Sequence, residues 1–165
     1  MNNNDRLTRL RYALDIKDED VVKIFDMGGA SVTADQVRAF TTATRTNENE
    51  NEYEREYEEV LNNEHFERFL NGIITSQRGV REGAPEPKLE LTDDNANNLL
   101  LKKMKIALSL TTEDLHEIME DAGGRLTKSE LGAVLRKEGH RNYKPCGDRY
   151  ARNFLNGLKM RYRGE

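Results

Sequence analysis

The apolar positions of this chain fall into two matching registers. Between Leu7 and Phe40 they follow one pattern, and between Leu101 and Val134 the same pattern returns at a constant shift of 94, without a gap. The matched pairs are Leu7/Leu101, Leu10/Met104, Tyr12/Ile106, Ala13/Ala107, Leu14/Leu108, Ile16/Leu110, Val21/Leu115, Ile24/Ile118, Phe25/Met119, Val32/Leu126, Val37/Leu131 and Phe40/Val134. Within each copy they recur three or four residues apart, as one face of a helix requires. A second shared block, Phe69-Leu70-Asn71-Gly72-Ile73, matches Phe154-Leu155-Asn156-Gly157-Leu158 at a shift of 85. The difference between the two shifts leaves nine extra residues in the first copy, between Phe40 and Phe69. Both copies close on the same dipeptide, Arg78-Gly79 and Arg163-Gly164.

Punctuation along each copy divides it into four helices. Asn3-Asn4 and Asn97-Asn98 precede the first periodic segments and read as N-caps, since asparagine accepts from free N–H groups at a helix start, with an earlier cap at Asp93 to Asn95 left open in the second copy. Asp18-Glu19-Asp20, and Thr111 to Asp114, open second helices with negative charge at the positive end of the helix dipole. Gly28-Gly29 and Gly123-Gly124 end them. Thr33-Ala-Asp-Gln36 and Thr127-Lys-Ser-Glu130 are capping boxes that start third helices. Fourth helices are predicted over about 64–77 and 148–161. The Asn/Glu-rich insertion at about 45–55 cannot bury apolar area and reads as mobile up to Glu52, with 53–61 extending the following helix. Gly79, Gly83, Pro85 and Pro87 mark an inter-repeat linker. The expectation is an all-α protein, with repeats at 1–78 and 93–165 packed together across a linker at 79–92.

These pieces together resemble a known family. Leu10-Arg11-Tyr12-Ala13-Leu14, the acidic start of helix two, Gly28-Gly29 and Pro85-Glu86-Pro87 contribute. So do Lys105 to Leu110, the run Gly139-His-Arg-Asn-Tyr-Lys-Pro-Cys-Gly-Asp148, and Arg152-Asn-Phe-Leu155. The chain is similar to the bacterial YehS-like family of tandem repeats. It departs from that pattern at 41–63, where it carries the insertion. The resemblance implies a bacterial cytosolic protein and brings no reaction or ligand with it.

Composition narrows the chemistry. Hydrophobic residues make up 36% of the chain and charged residues 34%, so the core is small for the surface it supports. At this size each copy alone would be marginal, which is why the two are expected to share a core. One cysteine permits no internal disulfide, no signal peptide is evident, and no apolar run is long enough for a membrane span, so a cytoplasmic protein is expected. The net charge of −4 divides unevenly, at −7 for residues 1–92 and +3 for 93–165.

The sharpest local feature is basic. Residues 136–165 hold nine basic and three acidic side chains. Arg136, His140, Arg141, Asn142, Tyr143, Lys144, Cys146, Asp148, Arg149 and Arg152 form a candidate binding loop, where Arg forks and the start of the fourth helix could meet a phosphate or carboxylate. The same residues fit a rigid turn, with Pro145 restricting the chain, Asp148 capping and Tyr143 packing. One Cys and three His cannot supply a metal site of three or four ligands by themselves, and no catalytic set or cofactor motif is read. Helices two and three resemble a helix-turn-helix, but the outward face of helix three offers few cations for phosphates. The sequence therefore points to a non-catalytic binding module that uses the inter-repeat groove or the basic loop. Its partner would be a protein or an anionic ligand, with nucleic acid as the rival.

Overall fold

A computed structural model describes residues 1–49 and 52–165. Eight helices are present among them. They are α1 (Asn3–Ala13), α2 (Asp18–Met27), α3 (Ala34–Thr41) and α4 (Asn63–Arg78), then α5 (Ala96–Ala107), α6 (Thr112–Asp121), α7 (Lys128–Leu135) and α8 (Asp148–Arg163). The fold is all-α, as the periodicity predicts, and each repeat contributes four helices in the same order.

The matched positions are buried alike. Leu7, Leu10, Val21 and Val37 are sealed in the first repeat, and so are Leu101, Met104, Leu115 and Leu131 in the second. Phe69 and Phe154 occupy equivalent fully buried places. Phe25 stacks against Phe69 at 5.0 Å and Phe40 at 6.1 Å between ring centroids. In the second repeat Met119 and Val134 stand at the places of Phe25 and Phe40 and are also buried. One continuous apolar core runs through both copies. Tyr12 and Ile106 are the exception: the pair is matched in sequence, yet each side chain is about half exposed.

The repeats are joined by exchange. α1 packs chiefly on α8 and α5 chiefly on α4, so each first helix rests on the other copy's fourth helix. This reciprocity describes a pseudo-two-fold axis between the copies. The repeated Arg-Gly endings explain themselves here. Arg78 Nη1 donates to Ser109 Oγ at 2.7 Å and to Ile106 O at 3.5 Å. Arg163 Nη1 makes the mirror pair, to Asp15 Oδ1 at 2.9 Å and Tyr12 O at 3.2 Å. Asp15 and Ser109, which receive these bonds, are the two non-glycine residues with positive φ among the described residues, at 53° and 54°. Each arginine thus holds the turn that ends the other copy's first helix.

Within a copy, helices two and four cross at a glycine. A Cβ built on Gly72 would lie 1.9 Å from Ile24 O, and one on Gly157 would lie 2.2 Å from Ile118 O. No side chain larger than hydrogen fits between those backbones.

Four expectations need correction. Asn3, Asn4, Asn97 and Asn98 lie inside the first turns of α1 and α5, and the residues before those helices are Asn2 and Asn95. Asn2 accepts from Asp5 N in a capping box, which frees Asn3 and Asn4 for tertiary contacts. The helix expected to begin at 53 is instead β2 (Glu52–Tyr57), paired antiparallel with β1 (Ala43–Asn49). Tyr53 and Tyr57 are four apart, which suits a helix face, but the threonines opposite and the aromatics themselves favour a pleated ribbon. The mobility expected up to Glu52 falls partly on residues 50 and 51, outside the described residues. Asp148 does not cap α8; Gly147 occupies that position with no side-chain cap, and Asp148 is the first helical residue. Finally, of the two capping boxes expected at the third helices, Thr33/Gln36 is complete and Thr127/Glu130 is not. Thr127 accepts from Glu130 N, while the Glu130 carboxylate meets the Thr127 hydroxyl and not its backbone.

Candidate functional site: a cleft where four helices begin

The helices that the two-fold exchange brings together are the first and fourth of each copy. Their starts, Asn3, Asn63, Asn97 and Asp148, gather at one end of the seam. There they border a cleft of about 1130 Å³, walled also by Thr44, Arg55, Glu56 and Tyr57 of the ribbon. The open N–H groups of helix starts give that end a positive bias. The ribbon is tied to α1 by Asn2 Nδ2, which donates to Arg55 O at 2.8 Å, and by the Tyr57 hydroxyl, which donates to Asp5 Oδ1 at 2.6 Å. Burial, and then that bond to Asp5, push the Tyr57 phenol up to about 12.

Two pairs of asparagines make matching bonds beneath the cleft, and Asn3, Asn4 and Asn97 line it. Asn4 Nδ2 donates to Phe40 O and Glu59 O, while its Oδ1 accepts from Leu61 N. Asn98 Nδ2 donates to Val134 O and Lys144 O, while its Oδ1 accepts from Cys146 N. Asn3 Nδ2 reaches Leu61 O and Asn63 Oδ1; Asn97 Nδ2 reaches Cys146 O and Asp148 Oδ1. Each acceptor in one copy has its counterpart in the other at the shift of 94 or 85. These asparagines fix the segment leading into each fourth helix, so the cleft wall is rigid.

The symmetry breaks at one residue. Arg6, 6% exposed, donates from Nε to Asn97 Oδ1 and from Nη1 to Asn3 Oδ1, both at 2.8 Å, and so bridges the copies. Its counterpart in the second copy is Leu100, which is fully buried. Burial lowers the Arg6 pKa, and Asp148, Asp5 and Asp93 oppose that effect. Asp148 sits at the cleft edge. Its burial alone would raise the carboxyl, but hydrogen bonds from the Met1 ammonium (2.7 Å) and Asn97 outweigh this and hold it below the usual range.

Of the ten candidate residues in the basic loop, Cys146 and Asp148 line this cleft. Cys146 stands where the first copy has Leu61, and both are buried. Burial and then the Asp148 charge push its thiol up to about 12, which disfavours the thiolate near neutral pH. Of the other eight, Arg136 to Lys144 lie along the loop after α7, and Arg149 and Arg152 lie in the first turns of α8. Arg136 Nη1 donates to Asn142 O, His140 Nδ1 accepts from Asn142 N, and Tyr143 is half-buried. Arg141, Lys144 and Arg149 are exposed, and Arg152 is half-buried. The loop is therefore pinned as a turn, and its last residues become cleft wall. On the third helices, Lys128 pairs with Glu113 at 2.7 Å and Arg38 pairs with Asp35, which neutralises the cations a DNA-reading helix would use. Among the described residues no group of three or more His, Cys, Asp or Glu side chains could hold a metal ion, and no helix is long and apolar enough to cross a membrane.

Sequence reasoning missed Arg6, Asn2, Asn62 and Tyr57. A signal for Arg6 did exist: it faces Leu100 in register, one position before the matched block begins.

The fold and site define an all-α protein of two interlocked four-helix repeats with a polar cleft on their shared axis. The family model described as "Protein of unknown function (DUF1456)" matches it twice, over residues 3–79 and 97–164. The chain belongs to that family. It is 36% identical to the "Uncharacterized protein YehS" of Escherichia coli (strain K12) over 171 aligned positions, spanning 98% of this chain and 96% of that protein. No solved structure matches.

Proposed function

We propose that this protein is a non-catalytic binding module whose contact surface is the inter-repeat cleft. The observation that carries the reading is the meeting of four helix starts around one large polar concavity lined by both copies. A volume near 1130 Å³ is slightly larger than common small-ligand pockets and suits a small polar molecule with room to spare. The basic loop joins the same surface through Cys146, Gly147 and Asp148. A cytoplasmic setting fits the lone buried thiol.

A thermal-shift screen of polar metabolites tests this against a cleft-filling variant, Gly147→Trp. Gly147 has an ordinary φ of −71°, and an added Cβ would meet only Tyr150 at 3.9 Å, so the variant should fold. A ligand at a hundred times its Kd adds about 2.7 kcal/mol, or roughly 5–10 °C for a chain of this size. The expected result is a compound that stabilises the natural chain and leaves Gly147→Trp unmoved. A screen with no stabilising compound, or equal shifts in both proteins, would overturn the reading. A nucleic-acid binder would instead use Arg141, Lys144 and Arg149, and its affinity would fall steeply with salt.

A further inference from the structure

Arg6 is a buried cation that the fold does not require. The equivalent place in the second repeat holds Leu100, so the same helix, in the same packing, accepts an apolar side chain there. Burying a guanidinium is costly unless its charge is answered. Yet no carboxylate among the described residues forms an ion pair with Arg6. The acids nearest in influence are engaged elsewhere: Asp148 with the Met1 ammonium and Asn97, Asp5 with Asn2 N and Tyr57, Asp93 with Asn63.

The guanidinium is half used. Nε and one N–H of Nη1 are held by the two asparagine carbonyls, one from each copy, which locks the plane of the fork. Nη2 has no acceptor among the described residues, and Arg6 lines the cleft. It is not among the sealed, unsatisfied polar atoms either, so Nη2 opens into that space. A rigid planar fork with a free edge, in a concavity bordered by helix starts, is suited to an oxyanion.

Resting on the cleft-binding reading above, we propose that Arg6 is the anchor of an anion subsite in the inter-repeat cleft, and that the ligand is a small polar molecule carrying a phosphate or carboxylate group. The bound oxyanion accepts from the free edge of Arg6, while the amides of Asn2 and Asn63, each with one N–H engaged by the protein and one left over, supply hydrogen bonds to the rest of the molecule. Four carboxylates line the cleft and oppose binding, Glu56, Asp93, Asp94 and Asp148, and of these Asp148 stands at the edge of the subsite, bonded to the same Asn97 that holds Arg6. The counterpart of Asp148 in the first repeat is the neutral Asn63.

The test uses the full chain, labelled with nitrogen-15, titrated with inorganic phosphate and separately with acetate, against sodium chloride at matched ionic strength. Phosphate or acetate should move the Arg6 Nε–H resonance and chloride should not; whichever acts more strongly identifies the group. Arg6→Leu, which installs the second repeat's residue, should keep a cooperative unfolding transition and weaken binding of that probe by at least about tenfold. Arg6→Lys keeps the charge without the fork and should bind with intermediate affinity. Asp148→Asn should bind several-fold more tightly. If neither anion moves the Arg6 resonance in the natural chain, the proposal is wrong. It is equally overturned if Arg6→Leu retains affinity, or if Asp148→Asn leaves it unchanged. The cleft itself would survive those failures if an uncharged or cationic compound still stabilised the natural chain and not Gly147→Trp.

Discussion

Replacing Asn98 by alanine should cost the protein much of its stability. The side chain is 1% exposed and makes three hydrogen bonds, to Val134 O at 3.0 Å, Lys144 O at 2.9 Å and from Cys146 N at 2.9 Å. All three partners are backbone groups, Val134 in the last turn of α7 and Lys144 and Cys146 in the segment that links α7 to α8. Truncation leaves them without a partner, at about 1–3 kcal/mol for each group that water cannot reach. Lys144 lies at the exposed rim, so its carbonyl recovers a water; Val134 and Cys146 are buried and do not. The expected loss is therefore about 2–6 kcal/mol, against a total of about 5–15 kcal/mol for a natural domain. Asn98→Asp is the sharper comparison, because it keeps the shape and turns the donating amide into an acceptor facing two carbonyls. It should lose at least as much. Urea unfolding followed by circular dichroism reads both, with Asn142→Ala as an exposed control. If Asn98→Ala lost less than about 1 kcal/mol with an unchanged m-value, the asparagine could not be what holds that segment, and the same conclusion would extend to Asn4.

Two further outcomes follow from the same coordinates. Gly72→Ala and Gly157→Ala should each destabilise by about 1–3 kcal/mol or more, because the new methyl meets a backbone carbonyl, whereas Gly132→Ala, in an open stretch of α7, should stabilise by up to about 1 kcal/mol; melting temperatures of opposite sign are the check. Cys146 should react with a thiol reagent at pH 8 far more slowly in the folded chain than in urea. Because its folded pKa is raised, the thiol contributes stability fully below the unfolded value near 9 and loses it as pH rises towards about 12. Equal alkylation rates in both states would contradict the burial of that side chain.

Much of the architecture could be read in the residues because burial repeats. Leu10 with Met104, and Phe69 with Phe154, announce the duplication since each copy must bury the same face. The polar half was harder. Asn4 and Asn98 look like caps, because asparagine near a helix start usually is one; only the chain's three-dimensional path shows that Asn2 caps α1 and releases its neighbours for long-range bonds. The strands β1 and β2 gave no hydrophobic alternation, since Ala43–Asn49 and Glu52–Tyr57 are built mostly of Thr, Asn, Glu and Arg. A groove between the repeats was an expectation, but its lining could not be foreseen, because it is made by the exchange of helices between copies, and spacing along a chain carries no information about which copy a helix chooses. Arg6 was hidden for a related reason: a lone cation beside a matched block means nothing until its surroundings are known.

The mutual grip of Arg78 and Arg163 gives the segment after α4 an unexpected part to play. Since every first helix leans on the opposite copy's last one, the arrangement is that of a dimer whose subunits share one backbone. The stretch from Gly79 to Pro87 then acts as a strap that keeps the second unit at an effective concentration of about millimolar, before Glu90 and Leu91 dock on Glu67. Stability in such an assembly belongs to the pair, and a weakness introduced in either unit is felt in both.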